Sequence, residues 1–252
     1  MKSFIYIAVL FTQILFAQSK TDAKKIFEQG NDLYQKEQFE QAAAKYEEVL
    51  DLGLVSDEVY FNLGNCYYKL NKVALSIYNF EKAKQLNPTC SSVENNLNFS
   101  QKLAVDEFEV VPRAGLDKLI FDTTSIFHYN TWASIGVGLA FLFLMSFAGY
   151  YFSNYTFTKR LFFSGMIFLL AVLVAVLLSA SFQKKYRDSN KAAIVFETVT
   201  SLHSEPKANS PEITPIHEGA KVLIVEDVNG WNKVVLPNGV QGWLPKTALR
   251  KL

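Results

Sequence analysis

Phe27-Glu28-Gln29-Gly30-Asn31-Asp32-Leu33-Tyr34 returns further along the chain as Phe61-Asn62-Leu63-Gly64-Asn65-Cys66-Tyr67-Tyr68, a period of 34. The register continues downstream, where Ala42 maps to Ser76, Tyr46 to Phe80 and Val49 to Ala83. A repeat of this length is one supersecondary unit that buries its apolar side only by stacking on a neighbour. Gly64 and Ser76 let two helices approach closely, aromatics fill the gap beside them, and Pro88 stops the second helix. The spacing predicts a short α-solenoid over residues 20–104. Two repeats leave one apolar face open. Ser91 and Glu94 have the spacing of a capping box, and Val93, Leu97, Ser100 and Ala104 follow on one face, so a capping helix is expected there.

Tyr60, Leu63-Gly64, Tyr67, Ser76, Phe80, Ala83 and Pro88 stand at spacings that resemble the tetratricopeptide repeat. The resemblance implies that the first helix of each pair lines a concave, ligand-binding side carrying Phe27, Asn31, Tyr34, Phe61, Asn62, Asn65 and Tyr68. Aromatics beside amides suit an extended peptide, because amides satisfy backbone groups while rings supply apolar contact. The alternative is that the same residues only stabilise the solenoid. One subclass of the family clamps a C-terminal carboxylate with Lys and Arg beside Asn. Asn31 and Asn62 match that pattern, but Phe27, Ser92 and Asn96 stand where its basic residues would be. Cys66 and Cys90 fall about 15 Å apart along parallel helices at 1.5 Å per residue, too far for a disulfide. Two buried free thiols are expected.

Working outward, the chain is unevenly charged. Residues 1–19, 132–152 and 161–182 contain a single charge, Lys2, while the rest of the 252 residues carry the other 48. Lys2, the apolar run Phe4–Phe16 and Ala17-Gln18-Ser19 read as a secretory signal, with an uncleaved anchor as the alternative. Residues 132–152 and 161–182 are each long enough for a hydrocarbon core of about 30 Å, and only residues 153–160 join them. They are expected to form a transmembrane hairpin, which returns the chain to the side it left. Lys159 and Arg160 favour a cytoplasmic loop, whereas Lys184, Lys185 and Arg187 pull the other way. With the signal deciding, both flanking regions are expected to be periplasmic, on the inner membrane. Neither span holds an ionisable residue, which argues against a transporter or channel. Ala171, Ala175 and Ser179 form a small-residue stripe suited to close helix packing, within the hairpin or against another membrane protein. Residues 105–131 read either as a segment at the membrane surface or as a plain linker, and 183–191 as a second linker.

From residue 192 to 252 the period changes to two. Ile194 and Phe196, Val222 and Ile224, and Val234 fit short strands, and Asn229-Gly230 and Asn238-Gly239 are hairpin signals with positive φ at both central residues. Gly219, Trp231, Val234, Gly239, Gly242-Trp243 and Leu249 resemble the bacterial SH3-like domain, which implies a small all-β barrel. The stretch His203-Ser204-Glu205-Pro206 departs from the Arg-containing pattern common in that family. Trp231 and Trp243 either flank a peptide or glycan groove, or pack in the core.

Charge and motifs narrow the function. Residues 20–104 carry 10 basic and 12 acidic groups and 191–252 carry 7 and 6, so neither offers the basic face that nucleic acid requires. The scattered three His and two Cys supply no metal spacing. His217-Glu218-Gly219 lacks a second His four residues on from the first, and no nucleophile elbow is present. No cofactor and no enzymatic activity are expected. The order of signal, repeats, membrane hairpin and SH3-like domain resembles the BatE family of the Bacteroides-type aerotolerance operon. That resemblance implies a multidomain membrane protein acting as a scaffold, with von Willebrand A-domain membrane proteins of the same operon as partners and a role in stress tolerance. Peptidoglycan binding through the SH3-like domain is the alternative function.

Overall fold

A computed structural model of the protein describes residues 21–108, 115–127, 129–189 and 191–252, the side chains of 117 and 187–189 excepted. The expected signal, residues 1–19, lies outside the described residues. The described residues divide into two compact units, one formed by residues 21–108 with 192–252 and the other by those between 115 and 191.

The first unit begins with five helices: α1 through residues 21–35, α2 (Phe39–Asp51), α3 (Asp57–Lys69), α4 (Val73–Leu86) and α5 (Ser91–Gln101). The period of the sequence holds at the backbone as well as in the side chains. The turn inside each pair passes through a left-handed residue, Glu37 at φ 58° and Asn71 at φ 54°. Gly30 and Gly64 face the rings of Tyr46 and Phe80, where an added Cβ would come within 2.7 Å in each case. Ser76 and Ser100, both buried, tie α4 to α5 through hydroxyls 2.8 Å apart, and Ser76 also donates to the Gly64 carbonyl at 3.0 Å. Ser56 caps α3 by accepting from the Val59 amide. Asn87 precedes Pro88, is pushed out of the helical region, and ends α4 at φ −134°.

Two local expectations change. Ser91 is the first residue of α5 rather than its cap; Cys90 occupies the cap position without a side-chain bond, and Glu94 instead pairs with Lys84 of α4. Cys66 and Cys90 are both free thiols, but Cys90 is half-buried at the helix entrance rather than buried. Residues 91–101 form the expected helix, in which Val93, Asn96 and Leu97 stand one full period after Val59, Asn62 and Leu63.

Seven strands complete this unit: β1 (Lys191–Val195), β2 (Val199–His203), β3 (Glu212–His217), β4 (Lys221–Val228), β5 (Trp231–Val235), β6 (Gln241–Pro245) and β7 (Leu249–Lys251). They form one antiparallel sheet in the order β3-β2-β6-β5-β4-β1-β7. The sheet is not closed into the expected barrel: among the described residues the edge strands β3 and β7 are not paired with each other. Asn229 and Gly230, at φ 44° and 86°, make the tight turn expected between β4 and β5. Asn238-Gly239 differs, because only Gly239 has positive φ, at 85°. Pro237 is locked near −65°, so the turn takes three residues and bonds Gly239 N to Leu236 O.

Ala193, Ile194 and Val195 are all fully buried, although a strand alternates its faces. Ala193 and Val195 enter the sheet's core with Leu202, Ile216, Val222, Val234 and Leu244. Ile194 points the other way, into a core shared with Val73, Ala74, Ile77, Phe80 and Leu97 of α4 and α5. The two segments read as separate domains are therefore parts of one packed unit. Polar contacts edge the junction. The Arg250 guanidinium lies 4.2 Å from the centre of the Phe196 ring and 5.4 Å from that of Tyr78. Lys221 pairs with the buried Glu81 at 2.7 Å. The Asp106 carboxylate accepts from the His217 amide at 2.6 Å, with the His217 Nδ1 2.7 Å from its other oxygen.

The second unit holds α6 (Gly115–Thr124), α7 (Tyr129–Phe152) and α8 (Thr156–Ser189). α7 and α8 pack antiparallel, with Gly149 against Phe162 near one end and Gly136 against Leu173, Val176 and Leu177 near the other. Both helices outrun the expected spans, and the connecting loop shrinks from residues 153–160 to 153–155. The Ala171–Ala175–Ser179 stripe does not pack within the hairpin: Ala171 and Ala175 are exposed, while Val176 next to them makes the contact. Both helices are long and apolar enough to cross a membrane, and only 6% of the most apolar stretch of each is buried.

Candidate functional site

Helices α1 and α3 carry the seven residues expected on the concave side, and their asparagines form two unequal rungs, the second completed by Asn96 of α5. In the first rung, Asn31 Oδ1 accepts from the Tyr46 hydroxyl at 2.7 Å and from Asn62 Nδ2 at 3.2 Å. In the second rung, one period on, Asn65 Oδ1 accepts from Asn96 Nδ2 at 2.7 Å. The residue equivalent to Tyr46 is Phe80, which has no hydroxyl to give.

Each rung leaves one amide donor, Asn31 Nδ2 or Asn65 Nδ2, and one amide acceptor, Asn62 Oδ1 or Asn96 Oδ1, without a protein partner among the described residues. The first is also tied to α2 by the Tyr46 hydroxyl; the second has no such tie, and its open groups are those of Asn65 and Asn96. Beside them lies a cleft of about 200 Å³ lined by Tyr34, Asn65, Tyr68, Lys69, Phe80, Asn96 and Phe99. Burial, together with the nearby Cys66, raises the Tyr34 phenol above its ordinary pKa, so it serves as a neutral hydrogen-bonding ring. Burial also pushes the Cys66 thiol up to about 12, leaving no thiolate at neutral pH. Lys69, exposed, is the cation at the rim.

Three of the expected residues, Tyr34, Asn65 and Tyr68, therefore meet at one cleft. Phe27 and Phe61 do not join it: their rings pack on Tyr46 and Phe80 at 5.5 and 5.8 Å between centres. Phe27 also lines a separate hollow of about 150 Å³ with Val49, Leu54 and Val59. Asn31 and Asn62 are tied to Tyr46. Sequence reasoning missed Lys69, Phe80, Asn96 and Phe99; continuing the period from Asn62 would have found Asn96.

A second group lies on the outward face of the sheet. Lys233 faces Trp243 across β5 and β6, so Trp231, two residues before Lys233, is the diagonal neighbour of Trp243 on the same face. His203 of β2 pairs with Trp243, and its ring centre stands 5.3 Å from that of Trp231. Neither tryptophan is in the core; both are half-buried, and Asn232, Val234, Gly242 and Leu244 take the inner positions. No group of three or more His, Cys, Asp or Glu that could hold a metal ion occurs among the described residues.

No curated protein matches the chain. Among solved structures it is similar to one titled the crystal structure of YrrB, a TPR protein with an unusual peptide-binding site. The two share 16% identity over 65% of this chain and 74% of that one, with a TM-score of 0.31. The family described as TPR repeat matches residues 30–71, and the tetratricopeptide repeat family matches residues 58–90. Residues 30–90, within the helical pairs, are thus matched by tetratricopeptide-repeat families.

Proposed function

We propose that this protein is a non-catalytic, membrane-anchored scaffold that holds an extended segment of a protein partner in the cleft of the second rung. The observation that carries this reading is the open amide pair of Asn65 and Asn96, flanked by the rings of Tyr34, Tyr68 and Phe99. A peptide backbone offers an N–H and a C=O in turn, which matches one free amide oxygen and one free amide nitrogen.

Membrane anchoring is supported by the two apolar helices and by the junction between repeats and sheet. Residues on either side of the helical pair share one core around Ile194, so both must lie in one compartment, as two spans would place them. The resemblance to the BatE family suggests the periplasm of the inner membrane as that compartment. It also suggests an SH3-like ancestry for the sheet and von Willebrand A-domain membrane proteins as partners in a stress-tolerance assembly. The test is quantitative recovery of membrane partners by the full chain from its own membranes. Asn65→Ala and Asn96→Ala each reduce recovery about three- to tenfold, the worth of one hydrogen bond of roughly 0.5–1.5 kcal/mol. Equal recovery by both variants overturns the reading.

A second reading, peptidoglycan binding, rests on the outward Trp231, His203 and Trp243. Stacked apolar rings beside a polar edge suit a sugar face. Sedimentation of the full chain with purified peptidoglycan, lost in Trp231→Ala, would favour it over the repeat cleft.

A further inference from the structure

The short helix α6 has three distinct sides. Leu116, Leu119 and Ile120 fall at i, i+3 and i+4 on one arc, and are 77, 63 and 46% exposed. Lys118 and Asp122, also exposed, share the opposite side. Phe121 and Thr124 share a third, which is held. The Phe121 ring stands 5.1 Å from that of Tyr186 on α8, and Gln183 Nε2 donates to Thr124 Oγ1 at 3.0 Å.

The following turn is held as well. Trp132 Nε1 donates to the Thr124 carbonyl at 2.8 Å, and its ring meets Phe127 at 5.3 Å. The residues that grip α6 are thus Trp132, near the start of α7, and Gln183 and Tyr186, just past the long apolar run of α8. Helix α6 is latched where both apolar helices leave their apolar stretches. A helix fixed at that level with a bare leucine and isoleucine arc has the bilayer boundary as its continuous neighbour.

We infer that α6 is an in-plane anchor, its Leu116–Leu119–Ile120 arc seated among the headgroups and upper acyl chains of the leaflet at that end of α7 and α8. This rests on reading α7 and α8 as spans. The occupant is lipid by apolar contact alone: the helix carries Asp117 and Asp122 against Lys118, so it has no cationic face to recruit anionic lipid. Zwitterionic phosphatidylcholine is enough.

The test is photo-crosslinking of the full chain reconstituted in phosphatidylcholine vesicles, with a benzophenone amino acid placed singly at Leu119, Lys118 or Phe141. All three side chains are exposed, and Phe141 reports on α7. Lipid adducts at 119 and 141 with loss of the adduct at 118 are expected. An adduct at 141 with none at 119, or equal adducts at 118 and 119, overturns the in-plane anchor while leaving the spans intact. Absence of lipid adducts at all three positions overturns the membrane reading and the anchor with it.

Discussion

The two rungs of the repeat array differ by one hydroxyl. Tyr46 closes the first by donating to Asn31, whereas Phe80, its counterpart in the next repeat, leaves Asn65 joined only to Asn96. Both rungs leave one amide nitrogen and one amide oxygen open, but only the second stands at the cleft lined by Tyr34, Tyr68 and Phe99. The rungs also stand on different foundations: Tyr46 belongs to a core built from α1, α2 and α3, while Phe80 shares its core with Ile194 of β1. The cleft that Phe80 lines is thus built over the junction between repeats and sheet.

That contrast breaks most visibly on truncation. Phe80→Ala and Tyr46→Ala each cost about 3–5 kcal/mol of stability. Only Phe80→Ala is expected to speed hydrogen exchange in β1, because only Phe80 touches its core. Equal protection of β1 in both variants, measured by exchange with mass spectrometry, would separate the cleft from the junction.

The two thiols offer the next contrast. Burial raises Cys66 to about 12 from an ordinary 9.0, so the folded state holds its proton longer than the unfolded state. This contribution to stability is complete below pH about 9 and is lost as pH rises towards 12. In the native chain at pH 8, alkylation should modify Cys90 and spare Cys66, with Cys66 reacting only after denaturation. Rapid native labelling of Cys66 would contradict the buried first core.

Much of this was legible in the sequence. The repeat period located Gly30 and Gly64 under their rings, and the Asn-Gly pair of residues 229–230 located a turn. The sharing of the cleft was not, because side-chain hydrogen bonds between repeats depend on a pair, such as Asn65 with Asn96, that lies far apart in the chain. Alternation could mark strands but not say that β1 is buried on both faces, since its second face is covered by α4 and α5, from the distant repeats. The barrel expected from resemblance failed for a related reason: strand order and closure are long-range facts. Pro237 was a local signal overlooked, since its ring excludes the turn assigned to Asn238-Gly239.

Exchanging the hydroxyl tests the contrast at smaller scale. Phe80→Tyr should give Asn65 Oδ1 a hydroxyl donor, as Tyr46 gives Asn31, and stabilise the second rung by roughly 0.5–1.5 kcal/mol, read as a rise in melting temperature. Tyr46→Phe should cost a similar stability and leave recovery unchanged. Smallest of all is the turn: Glu37 holds the left-handed conformation that Asn71 adopts in the second repeat, and Asn tolerates it better. Glu37→Asn should stabilise the repeats by about 0.5 kcal/mol, read as a small rise in melting temperature.

The most direct measurement is site-specific photo-crosslinking of the full chain in its own membranes, with a benzophenone amino acid at Tyr68 or Phe99 in the cleft and at Lys45 on the far side of the repeats. Sequencing of the adducts should identify one contiguous segment of a partner protein at positions 68 and 99, absent at 45 and lost from both cleft positions in Asn96→Ala. Equal capture of that segment at position 45, or adducts unaffected by Asn96→Ala, would contradict a partner held in the second rung.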